Sequence, residues 1–215
     1  MEKGIYFISG IDTDIGKTIA TGVLAKQLMQ KGISVVTQKL VQTGNKDCSE
    51  DILKHRQLMQ IDLLPEDEQG LTAPQIFSYP ASPHLATQID GKTLNFEAIE
   101  HATEQLKLNY DVVLLEGAGG LMVPLTTEIL TIDYVAEKKY PVILVTSGRL
   151  GSINHTLLSL HALKNYGLEL CMLAFNTVHD SQNELIANDT KAYLQHYIQK
   201  HFPQASWLEV EKLAN

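Results

Sequence analysis

The chain has 215 residues, 44% of them apolar and 20% charged, which suits one α/β domain over residues 1–215 with a sizeable core. A formal net charge of -8 argues against a nucleic-acid-binding surface, which needs clustered Lys and Arg, and the lone Cys48 and Cys171 exclude a disulfide framework or a structural zinc site. MEKGIYFISG lacks a secretory core and no apolar run reaches spanning length, so the chain is expected in the cytoplasm, away from membranes.

Short β-rich runs alternate with longer amphipathic stretches. The first strand is IYFIS (5–9), followed by GIDTDIGKT (10–18) and a helix over 17–31 that Gly32 closes. SVVTQ (34–38) is the second strand, with Lys39 directly after it, and a helix opens near Ser49 and runs to about 60. Residues 62–92 are the least regular segment and form an excursion at the sheet edge. A helix over 95–108 carries Phe96, Ile99, Ala102 and Leu106 at helical spacing, with Asn95 as its N-cap. The strand DVVLLE (111–116) ends at Glu116 and leads into Gly117-Ala118-Gly119-Gly120. A helix over 131–138, the strand PVILVTS (141–147), a helix over 153–165, the strand LCMLAFN (170–176) and a helix over 184–200 complete the pattern. Nearly continuous apolar strands imply burial on both faces, so the fold expected is a doubly wound, mainly parallel sheet, and GIDTDIGKT after its first strand makes it P-loop NTPase-like.

An apolar strand, a Gly-containing turn and Gly16-Lys17-Thr18 opening a helix make a phosphate site: successive backbone N–H groups face the phosphate oxygens. Lys17 would bridge the outer phosphates and the Thr18 hydroxyl would bind Mg²⁺. The spacing is unusual, because five residues rather than four separate Gly10 from Gly16. Read blandly, Asp14 is an N-cap and Lys17 a solvent charge. Glu116 sits where ligands bind in open α/β sheets, beyond the carboxyl ends of strands, and can hold the same cation. The glycines after it allow close backbone approach to a nucleotide. Ser152, Ile153 and Asn154 stand at a helix start, where free N–H groups can hold a carboxylate.

These stretches, together with KLVQTG (39–44), SPH (82–84), RLGSINHTLL (149–158) and FN (175–176), resemble the dethiobiotin synthetase family in order and spacing. The family's loop reads GxDTxxGKT, with the same extra residue. The resemblance implies a homodimeric, ATP- and Mg²⁺-dependent cyclo-ligase of biotin synthesis. Such an enzyme joins CO₂ (or bicarbonate) to 7,8-diaminopelargonic acid through a carbamate and a carbamic-phosphoric anhydride. By that analogy Lys17 and Lys39 are catalytic. ATP is held by Asp14, Ile15, Gly16, Lys17, Thr18, Ile19, Asp51, Glu116, Gly117, Ala118 and Gly119, and at the base end by Asn176 and Trp207. Thr13, Lys39 and Thr43 meet the substrate. Gly151, Ser152, Ile153 and Asn154 hold its far carboxylate from the partner subunit. Thr18, Asp51 and Glu116 ligate Mg²⁺, with Glu50 as the register alternative to Asp51.

Two other readings compete. A switch or partition ATPase of the same fold group often carries an early loop lysine, where this chain has Asp12 and Thr13. A small-molecule kinase commonly needs lid arginines, and Arg56 and Arg149 are the only arginines in the chain.

Overall fold

The computed structural model describes residues 1–211. Six strands form one parallel sheet: β1 (Gly4–Gly10), β2 (Val35–Lys39), β5 (Val112–Gly120), β6 (Val142–Ser147), β7 (Leu170–Asn176) and β8 (Ser206–Val210), in the order β2-β5-β1-β6-β7-β8. Alternation along each strand splits the core in two. On one face Val113, Leu115, Phe7, Leu144, Leu173 and Phe175 meet apolar residues of α5 (Phe96–Asn109), α6 (Thr131–Lys138), α7 (Ser152–Asn165) and α8 (Glu184–His201). On the other, Ile8, Leu114, Val145 and Ala174 meet Ala20, Leu24, Ala25 and Leu28 of α1 (Lys17–Gln30). Next to α1 lies α2 (Glu50–Met59), with Leu58 so near Gly22 that a Cβ there would come within 2.6 Å of it. No described helix is long and apolar enough to cross a membrane.

The expected strands and helices are all present, and local chemistry explains their ends. Asn95 caps α5 through the Ala98 amide, Ser49 caps α2 through Ile52, and Gly32 and Gly167 take positive φ after helix ends. The irregular segment contains α3 (Pro65–Glu68), β4 (Ile76–Phe77) and α4 (Pro83–Ile89); β4 pairs with β3 (Gln42–Thr43) as a separate two-stranded sheet. Two expectations need correction. The strand through DVVLLE does not stop at Glu116 but runs on to Gly120, which pairs with Gly10 across a bulge. Its last glycines are therefore strand, and the Gly10 carbonyl passes only 3.1 Å from where a Cβ of Gly120 would stand, which favours glycine there. The second correction lies at the other edge: Trp207, expected at the base end of ATP, lies in Ser206–Val210, which is the parallel edge strand β8 on β7.

β1 connects through α1 to β2, leaving room for β5 between them, while the chain after β5 passes beyond β1 to β6. The direction of winding thus reverses beside β1. A crevice opens outside the carboxyl ends of β1, β2 and β5, the usual ligand position in such sheets.

Candidate active site

β1 delivers the chain into the loop 11–16. Ile15 is fully buried against the α1 face of the sheet and pins the loop there. Gly10 must be glycine: a Cβ would lie 2.5 Å from Ile15 Cγ2 and 3.1 Å from the Asp12 carbonyl. Asp14 (φ 56°) and Gly16 (φ 92°) both turn left-handed, and Gly16 is the residue that precedes helix α1. The N-cap is thus Gly16, not Asp14. No side chain caps α1 and no acid occupies its first turn, so its leading N–H groups remain available to an anion.

Two strands and two helices converge at Glu116. Lys39 and Glu116 are direct partners in the β2–β5 ladder, and neighbours on one face of a parallel pair touch. Lys39 Nζ donates to Glu116 Oε1 at 2.9 Å and to the Gly117 carbonyl at 3.2 Å, and it pairs with Asp51 Oδ2 at 2.6 Å. From α1, Thr18 Oγ1 lies 2.8 Å from Asp51 Oδ1 and 3.2 Å from Glu116 Oε1, and the Thr21 hydroxyl donates to Glu116 Oε2 at 2.8 Å. From α2, His55 Nε2 reaches the same Oε2 at 2.9 Å. Burial would raise the Glu116 carboxyl, but Lys39 and His55 override it and hold the group well below the usual carboxylate range. Burial likewise acts to lower the Lys39 ammonium, and Glu116 and Asp51 outweigh it, leaving Lys39 above the ordinary lysine value. Lys17 goes the other way, lowered by burial and then by Lys39, with its Nζ on the Asp12 carbonyl at 3.1 Å. Asp51, rather than Glu50, is the acid that enters this centre: Glu50 is exposed and its amide is tied to Asn45.

A cavity of about 780 Å³ covers the centre. It is lined by Thr13, Asp14, Gly16, Lys17, Thr18 and Ile19 of the loop and α1, by Lys39, Thr43 and Asp51, and by Ala118 and Gly119 beside Glu116. Pro80–Pro83, which includes part of the SPH stretch, closes another side. Ile15 and Gly117 stand behind this lining, the one as core packing and the other through its carbonyl to Lys39. Thr18, Asp51 and Glu116 present a hydroxyl and two carboxylates within mutual reach. That is a hard-oxygen donor set suited to Mg²⁺ with phosphates and waters completing the shell. Among the described residues no group of three or more His, Cys, Asp or Glu gathers as a cage of its own.

The remaining expected residues stand elsewhere. Gly151, Ser152, Ile153 and Asn154 do not line this cavity. They open α7, which has left-handed Gly151 (φ 94°) ahead of it, no side-chain cap and no acid in its first turn. Ser152 is buried with its hydroxyl 3.3 Å from that of Ser147, whereas Gly151 and Asn154 are exposed. Asn176 is fully buried at the end of β7: its Nδ2 donates to the Ile15 carbonyl at 2.8 Å and its Oδ1 accepts from Val178 N. It therefore braces the phosphate loop from behind. Trp207 sits opposite Leu173, three positions before the carboxyl end of β8, with its ring stacked on Phe175 at 5.4 Å. That is the body of the sheet, not its ligand rim.

His55, Thr21 and Thr37 escaped the sequence reading. The available signal was spacing: His55 follows Asp51 by four positions, which places both on one side of a helix. Neither arginine forms a lid: Arg56 is buried, with its fork on Asp67 at 2.8 Å, and Arg149 pairs with Asp12 of the phosphate loop.

A family model described as an AAA domain matches residues 5–206. A Haemophilus ducreyi protein named ATP-dependent dethiobiotin synthetase BioD 2 is 51% identical over 97% of this chain and 98% of its own length. A Pasteurella multocida protein of the same name is 50% identical over 93% of each chain. A Chlorobaculum tepidum ATP-dependent dethiobiotin synthetase BioD is 47% identical over 87% of this chain and 79% of its own. Among solved structures, chloroplast FtsY from Physcomitrella patens aligns with 96% of the chain at a TM-score of 0.53 and 15% identity. FlhF complexed with GMPPNP/Mg(2+) aligns with 89% at 0.51. The chain spans 57% and 62% of those two structures, and the likeness is one of fold: a P-loop NTPase sheet.

Proposed function

The chain belongs to the ATP-dependent dethiobiotin synthetase family, ligases of biotin synthesis, and from that premise we propose that its one domain, residues 1–215, closes the urea ring of dethiobiotin from 7,8-diaminopelargonic acid and CO₂. One amine captures CO₂ as a carbamate and releases a proton. A carbamate oxygen attacks the ATP γ-phosphorus and ADP leaves, giving a carbamic-phosphoric anhydride. The second amine attacks the activated carbon and gives up a proton, the C–O bond to phosphate breaks, and inorganic phosphate departs.

The observation that supports this reading most is the convergence of Lys17, Lys39, Thr18, Asp51 and Glu116 on one cavity. Anionic oxygens accumulate on both the triphosphate and the one-carbon unit, and preorganised cations at that point lower the barrier. In this assignment the phosphate loop, Asp14–Ile19, holds the triphosphate through its N–H groups and Lys17. Lys39 neutralises the carbamate and anhydride, and Thr13 and Thr43 orient the amine end of the substrate. Thr18, Asp51 and Glu116 would hold Mg²⁺, which when bound supplies positive charge to the phosphates. Asn176 serves the nucleotide from behind, by fixing the phosphate loop through the Ile15 carbonyl.

The start of α7 is assigned to the far carboxylate of the substrate. Its first-turn N–H groups are uncapped, yet it lies outside the cavity of its own chain. The assignment therefore takes Gly151–Asn154 from a second copy, so the working unit is a homodimer.

The test is incubation with ATP, Mg²⁺, bicarbonate and 7,8-diaminopelargonic acid. Dethiobiotin and phosphate are expected in equal amounts, with product requiring both the diamine and bicarbonate. ATP hydrolysis independent of both would overturn the assignment in favour of a switch ATPase.

A further inference from the structure

Glu116 is gripped from two sides, and the sides differ in kind. Its Oε1 faces the cavity, where Lys39 and Thr18 hold it at 2.9 and 3.2 Å. Its Oε2 faces inward, where Thr21 and His55 hold it at 2.8 and 2.9 Å. The outer pair is needed by the reactants: Lys39 for the carbamate, Thr18 for the cation. The inner pair does not meet the reactants, and of the two Thr21 shares its one hydroxyl hydrogen with the Lys17 carbonyl at 2.8 Å, which leaves His55 as the undivided inner donor. Thr21 and His55 are both fully buried, and neither lines the cavity.

His55 is itself held. Its Nδ1 lies 3.0 Å from Thr37 Oγ1, which accepts from Arg56 Nη1 at 2.8 Å. The Arg56 fork ends on Asp67, whose carboxylate also accepts from the Thr72 hydroxyl at 2.7 Å and the Leu64 amide at 2.8 Å. A carboxylate accepts only, so Nε2 is the donor to Glu116. Thr37 Oγ1 accepts from Arg56 and has both a hydrogen and a lone pair left for Nδ1, so every polar group in the row is partnered from the α3 anchor to the site. Buried networks are rigid when fully satisfied in this way. The row is also built from both secondary-structure periods. Thr37 and Lys39 point to one face of β2, and Asp51 and His55 to one side of α2.

We propose that His55 is a positioning residue for the ring-closing reaction: anchored through Thr37, Arg56 and Asp67, it fixes Glu116 by Oε2 so that Oε1 stays turned to the cavity while Lys39 and Thr18 exchange partners with the reactants. This rests on the reading of Glu116 as a cation ligand given above. Without His55, a carboxylate released by Lys39 keeps one inner donor and is free to rotate away.

The measurement is nucleotide binding by titration calorimetry, with and without Mg²⁺, on His55→Leu, His55→Gln, Thr37→Val and Glu116→Gln. Partners behind a ligating group typically contribute about 10–100-fold to metal affinity. His55→Leu is therefore expected to cut the Mg²⁺-dependent gain in ADP affinity by about tenfold or more, leaving metal-free ADP binding unchanged. His55→Gln, whose amide can donate from the Nε2 position, should recover most of the gain, and Thr37→Val should lose part of it. A normal gain in His55→Leu, beside a lost gain in Glu116→Gln, overturns the role of His55 alone. A normal gain in Glu116→Gln overturns the cation reading and this proposal with it. Equal loss in the Leu and Gln variants would mean packing, not hydrogen bonding, and also refutes the proposal. If His55→Leu does not fold, a normal gain in Thr37→Val suffices to refute it.

Discussion

Replacing Lys39 by Met keeps the length of the side chain and removes its charge. The ammonium is buried and serves three acceptors: Asp51 Oδ2 at 2.6 Å, Glu116 Oε1 at 2.9 Å and the Gly117 carbonyl at 3.2 Å. Removing one partner of a buried ion pair costs about 3–5 kcal/mol. The lower end applies, because Glu116 keeps His55 and Thr21 and the Asp51 side chain retains 25% exposure to water. About 3 kcal/mol in a chain of this size lowers Tm by about 6–12 °C. The pH dependence has a definite sign. In the parent, Glu116 is held low, so its stabilising contribution is present above the unfolded carboxylate pKa and fades as pH falls through the folded one. In the variant its main counter-charge is gone and burial raises it, so the folded state binds a proton earlier. The gap between the two proteins is therefore widest near neutrality and narrows below about pH 5. Urea unfolding at several pH values measures it. Turnover to dethiobiotin should fall by roughly 10²–10³-fold, the usual cost of one preorganised charge-stabilising donor. A stability loss below about 1 kcal/mol that does not vary with pH, or near-normal turnover, would refute this account of Lys39.

Lys17→Ala should suppress turnover by a similar roughly 10²–10³-fold while costing no more than about 1 kcal/mol of stability. The reason is that Lys17 has one internal bond, to the Asp12 carbonyl; a large loss of Tm would count against its role as a phosphate ligand. Burial pushes the Asp67 carboxyl up, but Arg56, Thr72 and the Leu64 amide hold it below its ordinary value. Asp67→Asn should therefore cost about 3 kcal/mol at pH 7, with the difference fading below about pH 4; a constant difference in acid unfolding would be inconsistent. Gly10→Ala forces a Cβ against Ile15 and the Asp12 carbonyl and should lower stability by about 1–3 kcal/mol, read by calorimetry. If α7 serves the partner's site, hybrids of Lys17→Ala with Asn154→Ala chains should regain measurable turnover. None in verified hybrids would exclude the shared site.

What could be read along the chain was whatever depends on neighbours in sequence. Continuous apolar runs announced the parallel strands, Asn95 and Ser49 announced helix starts, and GIDTDIGKT announced the phosphate loop. Each rests on local period or capping chemistry. The edge strand Ser206–Val210 was not legible, because an edge strand is short and its pairing with β7 is a property of the partner. Trp207 and Asn176 were assigned to the nucleotide by motif; the sheet puts the first on Phe175 and the second on the Ile15 carbonyl. His55 was silent for the same reason: its partners, Thr37 and Glu116, lie 18 and 61 positions away. Local pattern thus carried the elements, the loop and the family of reactions. That Lys39 is the direct neighbour of Glu116, 77 positions away, came from the folded sheet alone, because strand register and face are set by the packing of β2 on β5 beneath α1 and α2, and no local pattern holds that information.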